Sequence, residues 1–142
     1  MQEKGFQGID IDFEYIPAED RFRFAAFVEL VSRVFGAFGY QVSVALAPKT
    51  SADQQGLLYE GVDYGLLGRA ADQVMLMTYE WGYTYGPPMA VAPINMVRRV
   101  AEYALTEIPR EKIILGIPNY GYDWPLPYVR GTTLSLIHIS EP

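Results

Sequence analysis

In residues 6–13, and on to Glu14, apolar Ile9, Ile11 and Phe13 alternate with Asp10, Asp12 and Glu14, a period of two that predicts a strand. Pro17 and the acidic pair Glu19 and Asp20 follow. Proline suits the first turn of a helix, and carboxylates favour the positive end of its dipole. Phe24, Phe27, Val31, Val34, Phe35 and Phe38 then recur at three- and four-residue steps, giving a helix with one apolar face that Gly36 and Gly39 weaken and end. Residues 41–47 are a short apolar run closed by Pro48 and read as a buried strand. A loop from Lys49 leads to a weaker helical stretch over residues 62–71, and residues 73–78 form a third strand. The next loop, residues 80–93, is rich in Gly, Pro and Tyr and opens onto a helix with Val97, Val100, Ala101 and Ala104 on one face, stopped by Pro109. Residues 112–117 predict a fourth strand, after which residues 119–124 and a Pro-rich stretch read as loop.

Strands alternating with helices imply βαβ units and a parallel sheet covered by helices, so the fold class is α/β. Each long aromatic or acidic loop follows the C-terminal end of a strand, the end at which open α/β sheets and (β/α)8 barrels carry their sites.

Composition narrows the chemistry. With 142 residues, half of them apolar, the chain holds one domain or part of one. A net charge of −6 argues against duplex nucleic acid or an anionic membrane as partner. No apolar run approaches the ~20 residues of a membrane span, and the chain reads as soluble. It has no cysteine, which removes disulfides, thiolate nucleophiles and Cys-containing metal sites. The one histidine, His138, cannot build a Ser-His-Asp triad or a two-histidine metal site within one chain. Catalysis must rest on carboxylates, tyrosines, lysine or a hard-cation site. The aromatic content is 14%, with 11 tyrosines, many in presumed loops, and exposed aromatic faces suit carbohydrate stacking.

Asp10, Asp12 and Glu14 at i, i+2 and i+4 of a strand share one face at intervals of about 6.6 Å. On an antiparallel strand this is an ordinary solvated face. On a parallel strand, covered on both sides, it points into a core or a barrel interior. Two such charges repel by ~2.5 kcal/mol at an effective dielectric of ~20, so at least one carboxyl is expected to keep its proton near neutral pH and to serve as a general acid. The rival reading gathers the carboxylates around Mg²⁺ or Mn²⁺ for phosphoryl or glycosyl transfer. Such a site usually wants a phosphate cradle. No Gly-rich phosphate loop follows any strand, and Lys49 alone is a weak anchor.

Gly8-Ile9-Asp10-Ile11-Asp12-Phe13-Glu14 resembles the DGxDxDxE motif of glycoside hydrolase family 18, the chitinase-type (β/α)8 hydrolases, where it lies on the fourth barrel strand. Met77-Thr78-Tyr79-Glu80 is similar to that family's M-x-Y-[DN] segment on strand six, and Gly116-Ile117-Pro118-Asn119-Tyr120-Gly121 to its G-x-P-x-Y-G segment on strand seven. The stretches around Lys49, Trp81 and Tyr122 most resemble the bacterial spore-germination, cortex-fragment-lytic glucosaminidases. The chain departs from the family motifs at Gln7, where they open with Asp, and at Glu80, a carboxylate one methylene longer than Asp.

The resemblance implies a partial barrel, approximately strands four to seven with their helices, over residues 1–133. A whole barrel has eight strands and about 250 residues. It implies a retaining hydrolase that uses the substrate's own 2-acetamido group as nucleophile. Glu14 would be the acid and then the base, Asp12 would hold the acetamido N–H, Asp10 would share a proton behind it, and Tyr79 would orient the acetamido oxygen. Glu80, Trp81, Met77 and Tyr120 would contact substrate, with Tyr83, Tyr85, Tyr122 and Trp124 as further apolar faces or simply as loop packing. The implied partner is a polysaccharide of 2-acetamido sugars, in spore coat or cortex, cell wall or outside the cell. No metal and no cofactor are implied. Two alternatives stay open: a non-catalytic sugar-binding relative, which would usually lack the acid that Glu14 supplies, and the metal-dependent transferase. Residues 134–142 do not resemble the family and look like the translation of a sequencing adapter.

Overall fold

The computed structural model describes residues 2–82, 85–131 and 135–138. Strands β1 (Gly8–Ile11), β2 (Gln41–Leu46), β3 (Gln73–Leu76) and β4 (Ile113–Leu115) lie side by side in chain order. All three pairings are parallel, with Asp10 beside Ser43, Ser43 beside Gln73, and Met75 beside Ile114. Parallel neighbours require long crossovers. Helices α1 (Arg21–Gly36), α2 (Tyr64–Ala70) and α3 (Ile94–Glu107) supply them.

The expected elements are present, and the strands are shorter than the runs that predicted them. The strand expected over residues 6–13, for example, pairs only over Gly8–Ile11, because periodicity reports which way side chains point, whereas a strand also needs a neighbour's backbone. Helix α1 starts from a single 3-10 turn, Ala18–Asp20, and ends at Gly36. Beyond it Gly39 adopts φ +77°, and the Tyr40 amide donates back to the Phe35 carbonyl at 3.1 Å, a left-handed stop that glycine accepts without strain. The short α2 is capped by the Asp63 carboxylate, which accepts from the Leu66 amide at 2.8 Å.

The core lies between the sheet and the helices. Val42, Val44 and Leu46 of β2 and Val74 and Leu76 of β3 are buried beneath Phe24 and Val28 of α1, Leu67 of α2, and Val100 and Ala104 of α3. Burial of each of the larger side chains stabilises the fold by about 2 kcal/mol.

Two buried polar side chains secure the loop between β2 and α2. The Lys49 ammonium donates to the carbonyls of Ala52, Tyr59 and Val62 at 3.2, 3.1 and 2.7 Å. The Tyr64 hydroxyl donates to the Ala47 carbonyl at 2.7 Å and accepts from the Lys49 amide at 2.8 Å. Burial lowers the pKa of Lys49 and raises that of Tyr64 from their ordinary values, since each loses water around its charged form. The loop that a phosphate would need to reach is therefore closed around the lysine by backbone carbonyls.

Residues 119–124, read as loop, contain a further strand, β5 (Tyr120–Asp123), which pairs antiparallel with β6 (Ser135–His138). A Pro-rich connection separates the two. The pairing is made through backbone groups contributed from beyond that connection, and no local period announces it.

Candidate active site

Ile9 and Ile11 turn toward the core, so Asp10 stands on the opposite face of the sheet, where it accepts a hydrogen bond from the Ser43 hydroxyl of the neighbouring strand. Asp12 and Glu14 continue the alternation beyond the last paired residue. All three acids are exposed, because that face carries no helices. Packing takes over from the strand ladder in holding this segment. The Phe13 ring, between the two acids, stacks on Phe27 at 5.7 Å between ring centroids and 11° between planes, and on Phe24 at 6.2 Å. Tyr15 then turns the chain at φ +58°. Gly61 lies so close to Ile16 that a Cβ there would fall 2.0 Å from the Ile16 carbonyl oxygen.

The end of β3 presents the second part of the site. Two tight turns follow Leu76: the Thr78 amide donates to the Leu76 carbonyl at 2.9 Å and the Tyr79 amide to the Met77 carbonyl at 2.8 Å. The buried Thr78 hydroxyl ties this turn to the next strand's end through the Gly116 carbonyl at 2.9 Å. A Cβ at Gly116 would sit 2.7 Å from Cε1 of Tyr79, so glycine there leaves room for the tyrosine ring. The Tyr79 phenol is held above its ordinary pKa, first by burial and then by the negative charges of Asp12, Glu80, Glu14 and Asp10. Tyr79 and the acid trio both follow the C-terminal ends of strands in the same parallel sheet. At neutral pH the Tyr79 hydroxyl is a proton-bearing donor.

Glu80, exposed and at φ +63°, accepts a hydrogen bond from the Tyr120 hydroxyl at 2.8 Å. Met77 is half-buried. Trp81 packs its ring against the hydrophobic core and carries a buried Nε1 without a hydrogen-bond partner, so much of the face expected to meet sugar is already covered. Tyr122 and Trp124 pack the loop between β3 and α3. The Trp124 Nε1 donates to the Met89 carbonyl at 2.9 Å, and a Cβ at Gly82 would lie 2.6 Å from the indole and 3.3 Å from Tyr122. Tyr83 lies outside the described residues, as does the side chain of His138.

Residue type alone did not single out Ser43, Phe13 or Gly116. The alternation that exposes Asp10 also exposes Ser43 on the adjacent strand, but the register that joins them is not local information. A polar concavity at the starts of β1, β2 and β3 is lined by Gln7, Gly8, Ile9, Asp10, Gln41, Ser43 and Gln73, so of the three acids it takes in Asp10 alone. Among the described residues no three acidic or histidine side chains group so as to hold a metal ion, and no helix is long and apolar enough to cross a membrane.

Comparison with known proteins decides the family: the model of the glycosyl hydrolases family 18 matches residues 1–132. The chain belongs to this family. It is 54% identical to the cortical fragment-lytic enzyme of Bacillus subtilis over 129 residues, covering 91% of this chain and 30% of that protein. The crystal structure of the Bacillus megaterium spore cortex-lytic enzyme SleL matches with TM-score 0.87 and 45% identity, over 97% of this chain and 32% of that one. A chitinase from Chromobacterium violaceum matches with TM-score 0.87 and 31% identity, over 96% of this chain and 42% of that one. The four parallel strands and their helices are thus a contiguous part of the family-18 (β/α)8 barrel. The chain spans about a third of the length of the curated relatives it matches.

Proposed function

We propose that these residues form the central part of a retaining, substrate-assisted glycosidase site for polysaccharides of 2-acetamido sugars, spore-cortex peptidoglycan or a chitin-like glycan. The observation that carries the reading is that the acid-bearing segment after β1 and the Tyr79 turn after β3 leave the same C-terminal edge of one parallel sheet, with β2 between them. A protonated donor beside a row of carboxylates suits a reaction in which an amide oxygen must be aimed and a positive charge offset. Glu14 protonates the glycosidic oxygen as the acetamido carbonyl oxygen attacks the anomeric carbon, and the bond to the leaving sugar breaks. Tyr79 orients that carbonyl. Asp12 accepts from the acetamido N–H and offsets the charge of the resulting oxazolinium ion, with Asp10, itself held by Ser43, behind it. Glu14, now a carboxylate, takes a proton from water as the water opens the ring, giving net retention. The names of the cortex-lytic relatives and the 54% identity to one of them favour cortex as the substrate. Residues 134–142 lie outside this reading and are proposed to be foreign to the barrel.

The test uses a chimera in which the matching part of this chain, without residues 134–142, replaces the aligned 129 residues of the Bacillus subtilis relative, so that the remainder of the barrel is present. Glu14→Gln should lower turnover of a fluorogenic chitobioside by about 10²- to 10⁴-fold, the usual worth of general acid catalysis, while the oligosaccharide still binds. Loss of less than about tenfold would overturn the assignment of Glu14. An unsubstituted chimera that binds sugar without cleaving it would favour the non-catalytic reading.

A further inference from the structure

Tyr120 carries a role that its aromatic character conceals. We infer that Tyr120 is a positioning residue for Glu80 rather than a stacking platform for sugar, and that the pair governs how tightly the site holds its substrate. The inference rests on the glycosidase reading above. Glu80 and Tyr15 are the residues other than glycine at positive φ among the described residues, a conformation that persists only where surrounding structure imposes it. At Glu80 the side chain is held as well: the phenol of Tyr120, 40 residues further along the chain and on β5, donates to Oε1 at 2.8 Å. The Tyr120 phenol is shifted upward by burial and by that same hydrogen bond, so it stays protonated and keeps donating. Its ring meets Tyr122 in a tilted contact at 6.3 Å.

The contact therefore joins the loop after β3 to the hairpin that follows β4. It occupies one oxygen of Glu80 and leaves Oε2 to accept from a hydroxyl or amide N–H of a ligand. Glu80 is the residue next to Tyr79, so the carboxylate that Tyr120 holds sits on the same post-β3 turn as that phenol. An unheld carboxylate on a glutamate side chain would sample several rotamers and would have to be ordered by the substrate on each encounter. Tyr120 performs that ordering beforehand.

A double-mutant cycle on the chimera tests this, with Tyr120→Phe, Glu80→Ala and the two combined, each assayed for kcat and KM on the fluorogenic chitobioside. Tyr120→Phe keeps the ring and removes only the donor. It should raise KM about fivefold with kcat within about twofold, the pattern of a lost contact made equally in ground and transition states. In the Glu80→Ala background the same substitution should change KM by less than about twofold, because the group it acts through is gone. An equal effect in both backgrounds would show that Tyr120 touches sugar directly, and an unchanged KM in Tyr120→Phe would show that the hydrogen bond does nothing for binding. Either result overturns the inference. If the unsubstituted chimera binds the chitobioside without turnover, the glycosidase reading has failed, and the cycle is completed on affinities measured by calorimetry with the same expected non-additivity. Equal thermal midpoints for the chimera and Tyr120→Phe exclude a folding explanation of the result.

Discussion

The two faces of the sheet differ in what holds their residues. On the helix-covered face, Val42, Val44, Val74 and Leu76 are fully buried and interlock with three helices. On the other face Asp10 and Ile114 are exposed and Ser43 and Met75 are half-exposed, although a strand alternates strictly between the two sides and the same backbone serves both. The covered face is closed over β2 and β3, while Leu115 of β4, beside Leu76, stays exposed. The open face carries the acids on which the proposed mechanism rests, and in a whole family-18 barrel it lines the interior. Core packing and the proposed site thus fall on alternate residues of the same strands.

The largest effect that separates the faces should appear when the chain is expressed alone. Its open face and the unpaired edges of β1 and β4 favour association, and a site shared with further strands is incomplete. Light scattering should show self-association, and the chitobioside should not be turned over measurably, whereas the chimera is monomeric and active. A soluble monomer with turnover like that of the chimera would abolish the contrast.

A smaller effect sharpens it within one strand. In the chimera, Leu76→Ala should lower stability by about 2–5 kcal/mol in urea unfolding, through the buried volume it removes on the covered face. Asp10→Asn, on the open face, should leave the unfolding midpoint nearly unchanged and lower turnover instead. Reversed results would show that the faces do not divide the two tasks.

The smallest effect belongs to the covered side's polar anchor. Tyr64→Phe should cost about 1–3 kcal/mol at pH 7, since the Ala47 carbonyl and the Lys49 amide both lose their buried partner. Burial raises the phenol above its ordinary value of 10, so above that pH the unfolded chain has lost a proton that the folded chain keeps. Unfolding then releases a proton, and stability falls as pH rises. The decline in urea midpoint between pH 9 and 11 should be shallower in Tyr64→Phe than in the parent chimera, and identical slopes would refute the assignment.

Periodicity made most of this legible. The alternation of Ile9, Asp10, Ile11 and Asp12 and the three- and four-residue steps of α1 are consequences of burial on one side, which apolar side chains record directly. The face that Asp10, Asp12 and Glu14 share was legible because a strand's side-chain order is also its geometry, whereas Tyr79 entered through the resemblance of its segment to the family's. Illegible features depended on partners distant in sequence. The hydrogen bond between Tyr120 and Glu80, the pairing of β5 with β6, and the packing of Trp124 against Gly82 each join residues whose local surroundings look like loop. For Tyr122 the sequence left open a sugar-facing ring or loop packing, because aromatic character alone does not distinguish a ring that meets sugar from one that closes a loop over its neighbours.

The order of strands has one further consequence, for how the molecule comes into being. β1, β2, β3 and β4 are neighbours in the order in which a ribosome makes them, and Gly8 already finds its partner when Gln41 emerges. Within the sheet no strand must wait for one encoded far downstream, so assembly can proceed by addition at a single growing edge as synthesis advances. The acid-bearing strand is the first of that sheet in the chain, and both Asp10 and its neighbour Ser43 precede the segment carrying Tyr79.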